Sequence, residues 1–168
     1  MVSLAGWREL VESARKLGVM LLDRSMNLSV AESCTGGMIG ATITANPGSS
    51  AYFRGGVIAY DNAIKERILA VPAEILLRHG AVSGQTVTAM ATGVCRLMQT
   101  ECGMSVSGVA GPEGGTVAKP VGLVYIGVHS IGRSQAFRYL FKGNRDEIRK
   151  QAVEKGLERM NDALKSQD

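Results

Sequence analysis

The stretch AESCTGG, residues 31–37, constrains the fold of this chain more than any other part of the sequence. Residues 28–30 read as the end of a buried strand and residues 38–43 as the start of a helix, so AESCTGG forms a strand-to-helix turn. Such a turn aims backbone N–H groups at one point, and its two glycines have no Cβ to keep an anion away. The turn predicts a phosphate or carboxylate site. A simpler reading stays equally open, in which Ser33 or Thr35 only caps the helix.

Chain length and cysteine content predict a single domain whose cysteines are in the reduced form. With 168 residues the chain is expected to form a single domain, residues 1–168, that buries roughly two-thirds of its unfolded surface. Its cysteines are irregularly spaced and form no paired Cys/His pattern, which predicts an intracellular protein without structural zinc. Cys95 and Cys102 read as ordinary helix residues. Cys34 reads first as a turn residue, although a thiol at a helix N-terminus has a lowered pKa.

Charge and hydropathy exclude several classes of protein. Residues 1–18 carry charges throughout, which excludes a secretory signal, and no apolar run approaches the ~20 residues of a transmembrane span. We therefore expect a cytoplasmic protein with no membrane partner. The net charge is +4, but many basic residues alternate with Glu and Asp in the terminal helical segments. Only 5% of residues are aromatic and no basic-aromatic run resembles a stacking platform, so nucleic acid is not an expected partner.

Apolar periodicity predicts helices and strands that alternate for most of the chain. Helices are predicted over residues 3–24, from 38, 61–69, 72–79, 83–102 and 144–164, and strands over residues 27–31, 55–60, 104–109, 121–129 and 134–141. The predicted helix caps are Ser3, Asp61 or Asn62, Ser83 and Asn144. The inward stripe of the helix 83–102 consists of Val87, Met90, Ala91, Val94, Leu97 and Met98.

This order of elements predicts an α/β fold, a three-layer sandwich with a mixed, mainly parallel sheet and helices on both faces. The last two strands flank a tight turn at Ile131 and Gly132 and so form an antiparallel hairpin. In open α/β sheets, ligands bind beyond the carboxyl ends of the strands. AESCTGG, Tyr60 and the glycine-rich loop 110–120 all follow strands, so we expect them to converge on one site.

The chemistry available at such a site is narrow. A hydrolase needs a nucleophile, a proton acceptor and donors for the oxyanion, and neither His79 at a helix end nor His129 near a hairpin turn is well placed as the acceptor. No cluster has the ligand types or spacing for a metal. Ser50, Tyr60 and Lys65 remain, the parts of a Ser/Tyr/Lys arrangement in which a desolvated lysine with a lowered pKa takes the proton. By itself, Lys65 would more often be a solvated helix charge.

The sequence between residues 7 and 164 also carries a specific resemblance. Its blocks are, in order, AESCTGG, NPGSSAYFRGGVIAYDNAIKERIL, HGAVS, VSGVAGPEGGTVAKPVGLVYIGV and GNRDEIR. In content and spacing they resemble the signature blocks of the CinA C-terminal domain family, the nicotinamide-nucleotide amidases. The resemblance implies an enzyme without metal or cofactor that hydrolyses nicotinamide mononucleotide to nicotinate mononucleotide and ammonia, a reaction of pyridine nucleotide salvage.

The resemblance further implies roles for individual residues. Ser50 matches the nucleophile of the family, and Tyr60 and Lys65 match the residues that activate it. The implied substrate-binding residues are Ser33, Thr35, Gly36, Gly37, Gly111, Gly114, Gly115, Thr116 and Arg145. The chemistry agrees with this, because an amide of a phosphorylated ribonucleotide needs an anion cradle, which two glycine loops and an arginine could supply.

Two departures from the family pattern stand out. Members often read GPGGGTPEKP where this chain reads GPEGGTVAKP, so Glu113, Val117 and Ala118 differ. Glu113 would weaken phosphate binding if it pointed inward and would be harmless at a loop tip. The family domain often follows a larger N-terminal domain that resembles molybdopterin-binding proteins, and we expect the stand-alone form here.

Two other functions stay open at this point. One is a module that binds a pyridine nucleotide without turning it over, and the other is the competence- or DNA-damage-associated role that the labels of the family suggest. Ammonia release from nicotinamide mononucleotide separates the amidase from the module, and steeply salt-dependent binding to duplex DNA would support the third function. The sequence allows a homodimer and does not decide the preference among pyridine nucleotides.

Overall fold

Five strands form one mixed sheet at the centre of residues 3–166, the part of the chain described by this computed structural model. The helices are α1 (Leu4–Asp23), α2 (Met38–Thr44), α3 (Asn62–Arg67), α4 (Ala73–His79), α5 (Gly84–Met98) and α6 (Arg145–Lys165). The strands are β1 (Leu28–Glu32), β2 (Phe53–Ile58), β3 (Cys102–Gly108), β4 (Leu123–Ser130) and β5 (Arg133–Leu140). A 3-10 turn, Ser49–Ala51, precedes β2.

The strands lie in the order β2-β1-β3-β4-β5 across the sheet. β1 pairs in parallel with β2 and β3, whereas β4 pairs antiparallel with β3 and β5. Only β4 is therefore reversed, which confirms the mixed, mainly parallel sheet and the terminal hairpin. Glu32 at the end of β1 pairs with Ile58 of β2 and with Val106 of β3. The carboxyl ends of these three strands thus lie on the same side of the sheet. We call this side the carboxyl edge.

Helices cover both faces of the sheet, as predicted. On one face α1, α2 and α6 pack together over a core that includes Leu10, Leu21, Met104, Ile126 and Leu157. On the other face α5 contacts all five strands and α4 packs on α5, over a smaller core that includes Ala59, Leu69, Val71, Met90 and Val94. Among residues 3–166, no helix combines the length and the apolar character needed to cross a membrane.

The predicted buried strand at residues 55–60 differs in position and burial from β2. β2 lies at the edge of the sheet, and its residues alternate between partly buried and exposed. An edge strand has a neighbouring strand on one side only, which leaves it more exposed than a central strand. Tyr60, which was predicted to end this strand, lies two residues beyond it and is 63% exposed.

α5 ends earlier than the predicted helix 83–102. It stops at Met98 because Gln99 adopts a left-handed backbone conformation with φ of 52°, and β3 then begins at Cys102. Cys102 is therefore a buried strand residue rather than a helix residue. Leu97 lies in this last turn and is 49% exposed, so it does not belong to the inward stripe.

Asn144 caps the start of α6, as predicted, and together with Glu147 it forms a capping box. The Asn144 Oδ1 accepts the N–H groups of Asp146 at 3.0 Å and Glu147 at 3.1 Å, and the Glu147 Oε2 accepts the Asn144 N–H at 2.8 Å. These bonds satisfy helix N–H groups that have no partner inside the helix. The box therefore fixes the start of the helix that carries Arg145 and Arg149.

Asn144→Ala should lower the free energy of unfolding by about 1 kcal/mol, because it removes the acceptor of two helix N–H groups. Urea unfolding monitored by circular dichroism measures this difference. Lys142→Ala, a change at an exposed neighbour, serves as the control and should shift stability by less than about 0.5 kcal/mol. Equal losses in the two variants would mean that the capping box does not stabilise α6.

Candidate active site

A cavity of about 270 Å³ opens at the carboxyl edge of the sheet. Its walls come from the AESCTGG turn, the residues after β2, α3, the end of β3, the glycine loop and the start of α6. The predicted site residues that line it are Ser33, Tyr60, Lys65, Gly111, Gly114 and Arg145. The three segments that follow strands therefore converge on one site, as their positions predicted.

Lys65 is a buried lysine rather than a solvated helix charge. Its side chain is only 1% exposed, and its Nζ donates to the carbonyl oxygens of Ala59 at 2.7 Å and Tyr60 at 3.1 Å and to the Ser33 Oγ at 3.3 Å. Burial lowers the pKa of Lys65, because the interior disfavours the charged form, and the nearby Asp61 carboxylate offsets this only in part. The amine is therefore more readily neutral than that of a solvated lysine.

The Ser33 hydroxyl is in contact with the Lys65 amine. Its N–H donates to the Val106 carbonyl at 2.9 Å, which holds the residue against the end of β3. A neutral amine has two N–H donors and a lone pair, and the carbonyls of Ala59 and Tyr60 accept the two donors of Lys65. The lone pair of the neutral form is thus left for the Ser33 hydroxyl. This pair has the geometry of a nucleophile with its general base.

The structure does not bring Ser50 to the cavity, which corrects its predicted grouping with Tyr60 and Lys65. Ser50 is exposed and lies in the turn Ser49–Ala51, just before β2 begins. The cavity lies where β2 ends. The six residues of β2, at about 3.3 Å each, place the two ends of this strand roughly 20 Å apart. Ser50 is therefore far from the buried lysine that was predicted to activate it.

The N-terminus of α2 is occupied by a carboxylate of the chain itself. The Glu32 Oε2 accepts N–H bonds from Gly37 at 3.0 Å and Ile39 at 3.1 Å, and its Oε1 accepts one from Gly40 at 2.9 Å. The predicted anion cradle therefore exists, but its anion is a side chain rather than a ligand. Neither Ser33 nor Thr35 caps α2, in contrast to the simpler reading of the turn. The cap position is Gly37, which has a left-handed φ of 94°.

Thr35 and Gly36, two further predicted binding residues, lie against α6 and do not line the cavity. The Thr35 carbonyl accepts a bond from the Arg149 Nη2 at 2.7 Å, and a Cβ added at Gly36 would lie 3.6 Å from the same nitrogen. The Thr35 hydroxyl is buried and has no hydrogen-bond partner among the described residues. The turn is thus held from the side of α6 as well as from its own ends.

Arg145 joins the glycine loop to Tyr60 at the cavity. Its Nη1 donates to the Gly111 carbonyl at 2.7 Å, and its Nη2 lies 3.4 Å from the Tyr60 hydroxyl. No hydrogen bond within residues 3–166 joins that hydroxyl to Ser33 or Lys65. Tyr60 therefore contacts Lys65 through its carbonyl, and its phenol side chain contacts Arg145.

Only part of the predicted glycine loop reaches the cavity. Gly111 and Gly114 line it, and both have left-handed backbone conformations, with φ of 75° and 85°. Gly115 and Thr116 do not line it, and the Thr116 hydroxyl instead accepts the Lys119 N–H at 3.0 Å within the loop. These two residues shape the loop rather than the cavity wall.

The three departures from the family pattern all lie in this loop, but only one of them lines the cavity. Glu113 lines the cavity, so an acidic side chain does lie at the site. Val117 and Ala118 are exposed and lie outside the cavity. Of the three departures, only Glu113 can therefore act on a bound anion.

Cys34 lines the cavity beside Ser33 but lacks the character of a reactive thiol. It is 5% exposed, and burial raises the pKa of its thiol to about 12, which outweighs the opposing effect of the Arg149 and Arg145 charges. The lowered pKa expected of a cysteine before a helix is therefore not found. Cys34 acts as a small apolar wall residue.

A larger groove, of about 580 Å³, lies between α1 and α6. Charged side chains such as Arg15, Lys16, Glu154 and Asp162 line it, and it contains none of the predicted site residues. The candidate active site is nevertheless the smaller cavity, because that cavity holds a buried base in contact with a hydroxyl.

The sequence matches a known protein family. A sequence profile described as the CinA C-terminal domain matches residues 11–164, which include the AESCTGG turn, Lys65, the glycine loop and Arg145. The chain belongs to the CinA C-terminal domain family. The resemblance seen in the sequence is thereby confirmed.

Individual members of the CinA family show the same similarity. A CinA-like protein of Gemmatimonas aurantiaca is 51% identical over 141 residues, which cover 84% of this chain and 33% of that protein. The solved structure of the competence/damage inducible protein CihA from Agrobacterium tumefaciens is 37% identical, with a TM-score of 0.88 over 93% of this chain and 95% of that one. The solved structure of a CinA superfamily protein from Enterobacter cloacae is 34% identical, with a TM-score of 0.89 and 92% of both chains covered. The chain spans about a third of the length of the curated relatives it matches.

Sequence reasoning missed three residues of this CinA-family site. Glu32 fills the start of α2, Arg149 holds the turn, and Ser107 lines the cavity at the end of β3. Ser107 could have been found, because it precedes the glycine loop at a strand end. Arg149 lies one helical turn after Arg145 and so shares its face. Glu32 is the charged residue of the AESCTGG motif, but the sequence does not show which groups its side chain binds.

Proposed function

We propose that this CinA-family chain is an amidohydrolase that converts nicotinamide mononucleotide to nicotinate mononucleotide and ammonia, with Ser33 as nucleophile and Lys65 as general base. The observation that carries the proposal is the contact of 3.3 Å between the Ser33 Oγ and the buried Lys65 Nζ at a cavity. Ser33 takes the role that the family resemblance implied for Ser50, and Lys65 keeps its predicted role.

In the first half of the reaction, Ser33 is acylated. Neutral Lys65 takes the proton of the Ser33 hydroxyl as the serine oxygen forms a bond to the carboxamide carbon, and the carbonyl electron pair moves to oxygen. When this tetrahedral species collapses, the C–N bond breaks and the Lys65 ammonium gives its proton to the leaving nitrogen. Ammonia departs, and Ser33 carries a nicotinate ester.

In the second half, water hydrolyses the ester. Lys65, neutral again, takes a proton from the water as its oxygen attacks the ester carbon. The bond from carbon to the Ser33 oxygen then breaks, and Lys65 returns the proton to that oxygen. Every proton moves between Ser33, Lys65, water and substrate, and both side chains end in their starting states.

The backbone N–H group directly after the nucleophile is suited to bind the oxyanion. The amides of Ser33 and Gly36 donate to the carbonyls of Val106 and Ser33, whereas within residues 3–166 those of Cys34 and Thr35 form no backbone hydrogen bond. Acyl-transfer enzymes commonly use the N–H of the residue after the nucleophile in their oxyanion holes. We assign Cys34 N–H this role, because Cys34 lines the cavity and Thr35 does not.

The size and charge of the cavity favour a phosphorylated mononucleotide. Its volume of about 270 Å³ lies just below the range of roughly 300–1,000 Å³ for small-ligand sites, so it suits one nucleotide better than a dinucleotide. Arg145 supplies a guanidinium group at its wall, and guanidinium binds phosphate by paired N–H donors. Glu113 also lines the cavity, so a bound phosphate shares the cavity with a carboxylate.

Ammonia release from nicotinamide mononucleotide by the purified protein tests the proposal. Turnover, together with a nicotinate ester on the peptide that contains Ser33 after acid quenching, would support it. Binding of the nucleotide without ammonia release would identify a pyridine-nucleotide-binding module instead. Steeply salt-dependent binding to duplex DNA without ammonia release would favour the competence- or damage-associated function.

Arg145→Ala should raise KM for nicotinamide mononucleotide by about 10- to 100-fold, with a smaller change in kcat, because it removes a charged hydrogen bond made before and during the reaction. Steady-state kinetics with the nucleotide and with nicotinamide riboside measures this. The riboside should be a poor substrate for the parent and should lose little more activity in the variant.

Arg138→Ala, at an exposed arginine of β5 outside the cavity, is the matched control and should leave both substrates unaffected. Equal proportional losses for nucleotide and riboside in Arg145→Ala would show that Arg145 does not bind the phosphate.

A further inference from the structure

The Glu32 carboxylate is buried at the base of the nucleophile turn, where it is 2% exposed. It accepts three backbone N–H bonds, from Gly37, Ile39 and Gly40, at distances between 2.9 and 3.1 Å. It does not line the cavity, so it does not reach the substrate. A buried carboxylate is retained only where its bonds replace those it would form with water.

The contacts of Glu32 close the turn at both ends. Glu32 directly precedes Ser33, and its side chain binds the residues that begin α2, so residues 33–36 span two fixed points. The Glu32 carbonyl also accepts the Ala59 N–H at 2.7 Å, while the Ala59 carbonyl accepts the Lys65 Nζ at 2.7 Å. The backbone of Ala59 therefore connects the residue before the nucleophile to the base.

We propose that Glu32 is a positioning residue for the proposed hydrolysis, and this inference therefore rests on the proposed function. Its carboxylate takes the place of an external anion at the start of α2 and fixes the turn so that the Ser33 Oγ stays within reach of the Lys65 Nζ. Proton transfer and attack depend steeply on distance, and a displacement of about 1 Å can cost about 10²-fold in rate. Glu32 thus contributes to catalysis through Ser33.

Glu32→Gln tests the inference, because glutamine keeps the shape but directs an N–H donor at backbone N–H groups. We expect kcat for nicotinamide mononucleotide to fall about 10²-fold while KM stays within about threefold, since the cavity wall is unchanged. Glu101→Gln is the matched control. The Glu101 Oε2 accepts the Asn27 N–H at 2.8 Å before β1, at the opposite edge of the sheet, and its loss should change kcat less than twofold.

Hydrogen exchange of the backbone supplies a readout that does not need activity. In Glu32→Gln, exchange in residues 33–40 should quicken about 10-fold or more while β3 and β4 keep their protection. Should Glu32→Gln not fold, Glu32→Asp, which shortens the reach of the carboxylate, should show the same pattern to a smaller extent. A parent-like kcat in a folded variant, or a rise in KM alone, would overturn the inference.

The two proposals can fail separately. If the parent releases no ammonia, the proposed function fails, and the exchange measurement alone decides whether Glu32 fixes the turn. If the parent is active and exchange at residues 33–40 is unchanged in both Glu32 variants, the positioning role is overturned while the amidase assignment stands.

Discussion

Ser33→Ala is expected to lower kcat for nicotinamide mononucleotide by at least about 10³-fold, whereas Ser50→Ala leaves kcat within about twofold of the parent. The reason is position. The Ser33 Oγ lies 3.3 Å from the buried Lys65 Nζ, whereas Ser50 is exposed and precedes β2, at the end of the strand away from the cavity. Removal of one hydroxyl leaves the cavity wall nearly intact, so Ser33→Ala should still bind the nucleotide.

Quenched-flow detection of the ester distinguishes loss of chemistry from loss of binding. The parent and Ser50→Ala should both form a nicotinate ester on the peptide that contains Ser33, and Ser33→Ala should form none. Isothermal titration should show that Ser33→Ala binds nicotinamide mononucleotide with an affinity within about threefold of the KM of the parent. If Ser50→Ala abolishes the ester and Ser33→Ala retains it, the nucleophile is Ser50 and the contact with Lys65 has another purpose.

The sequence predicted most of the fold because its strongest signals are local. The apolar stripe of α1, the Asn144 cap of α6 and the turn at Ile131 and Gly132 each depend on residues close together in the chain. The errors arose where sheet order or a single backbone conformation, neither of them visible in the sequence, decides the outcome. β2 is an edge strand because of sheet order, and α5 ends at Met98 because Gln99 turns left-handed and leads into β3.

The sequence predicted where the candidate site lies but not which serine contacts Lys65. Sequence proximity and the family resemblance grouped Ser50 with Tyr60 and Lys65, while the parallel register of β1 and β2 brings together Ser33 and Lys65, which are 32 residues apart. The glycine turn gave a correct signal for bound negative charge. It could not show that Glu32, inside the motif, would supply that charge, because this depends on one side-chain conformation.

Lys65→Met is expected to lower kcat nearly as far as Ser33→Ala, by about 10³-fold, because the serine loses its proton acceptor. The double variant should be little worse than either single one, since groups that act as a unit are not additive. Lys65→Arg should also be inactive, because arginine keeps the charge but does not lose its proton in proteins. Lys16→Met, at an exposed lysine of α1, is the control and should be fully active.

The pH dependence should identify Lys65 as the base. Activity needs the neutral amine, so kcat/KM of the parent should rise with pH and level off above the pKa of Lys65, which burial places below its ordinary value of 10.5. The residual activity of Lys65→Met should lack this rise. An identical rise in both proteins would assign the ionisation to another group.

The same lowered pKa has a signature in stability. Between the pKa of folded Lys65 and 10.5, the unfolded chain binds more protons at this residue than the folded chain does, so the free energy of unfolding contributed by Lys65 increases with pH in that window. Below the window the folded state carries the full cost of burying the charge, and above it that cost is gone. Relative to Lys65→Met, the parent should therefore gain stability as pH rises towards 10.5, measured by urea unfolding of both proteins at each pH. If the difference between them is independent of pH, the Lys65 pKa is the same in the folded and unfolded chains, and the amine of the free protein is not poised to take the Ser33 proton.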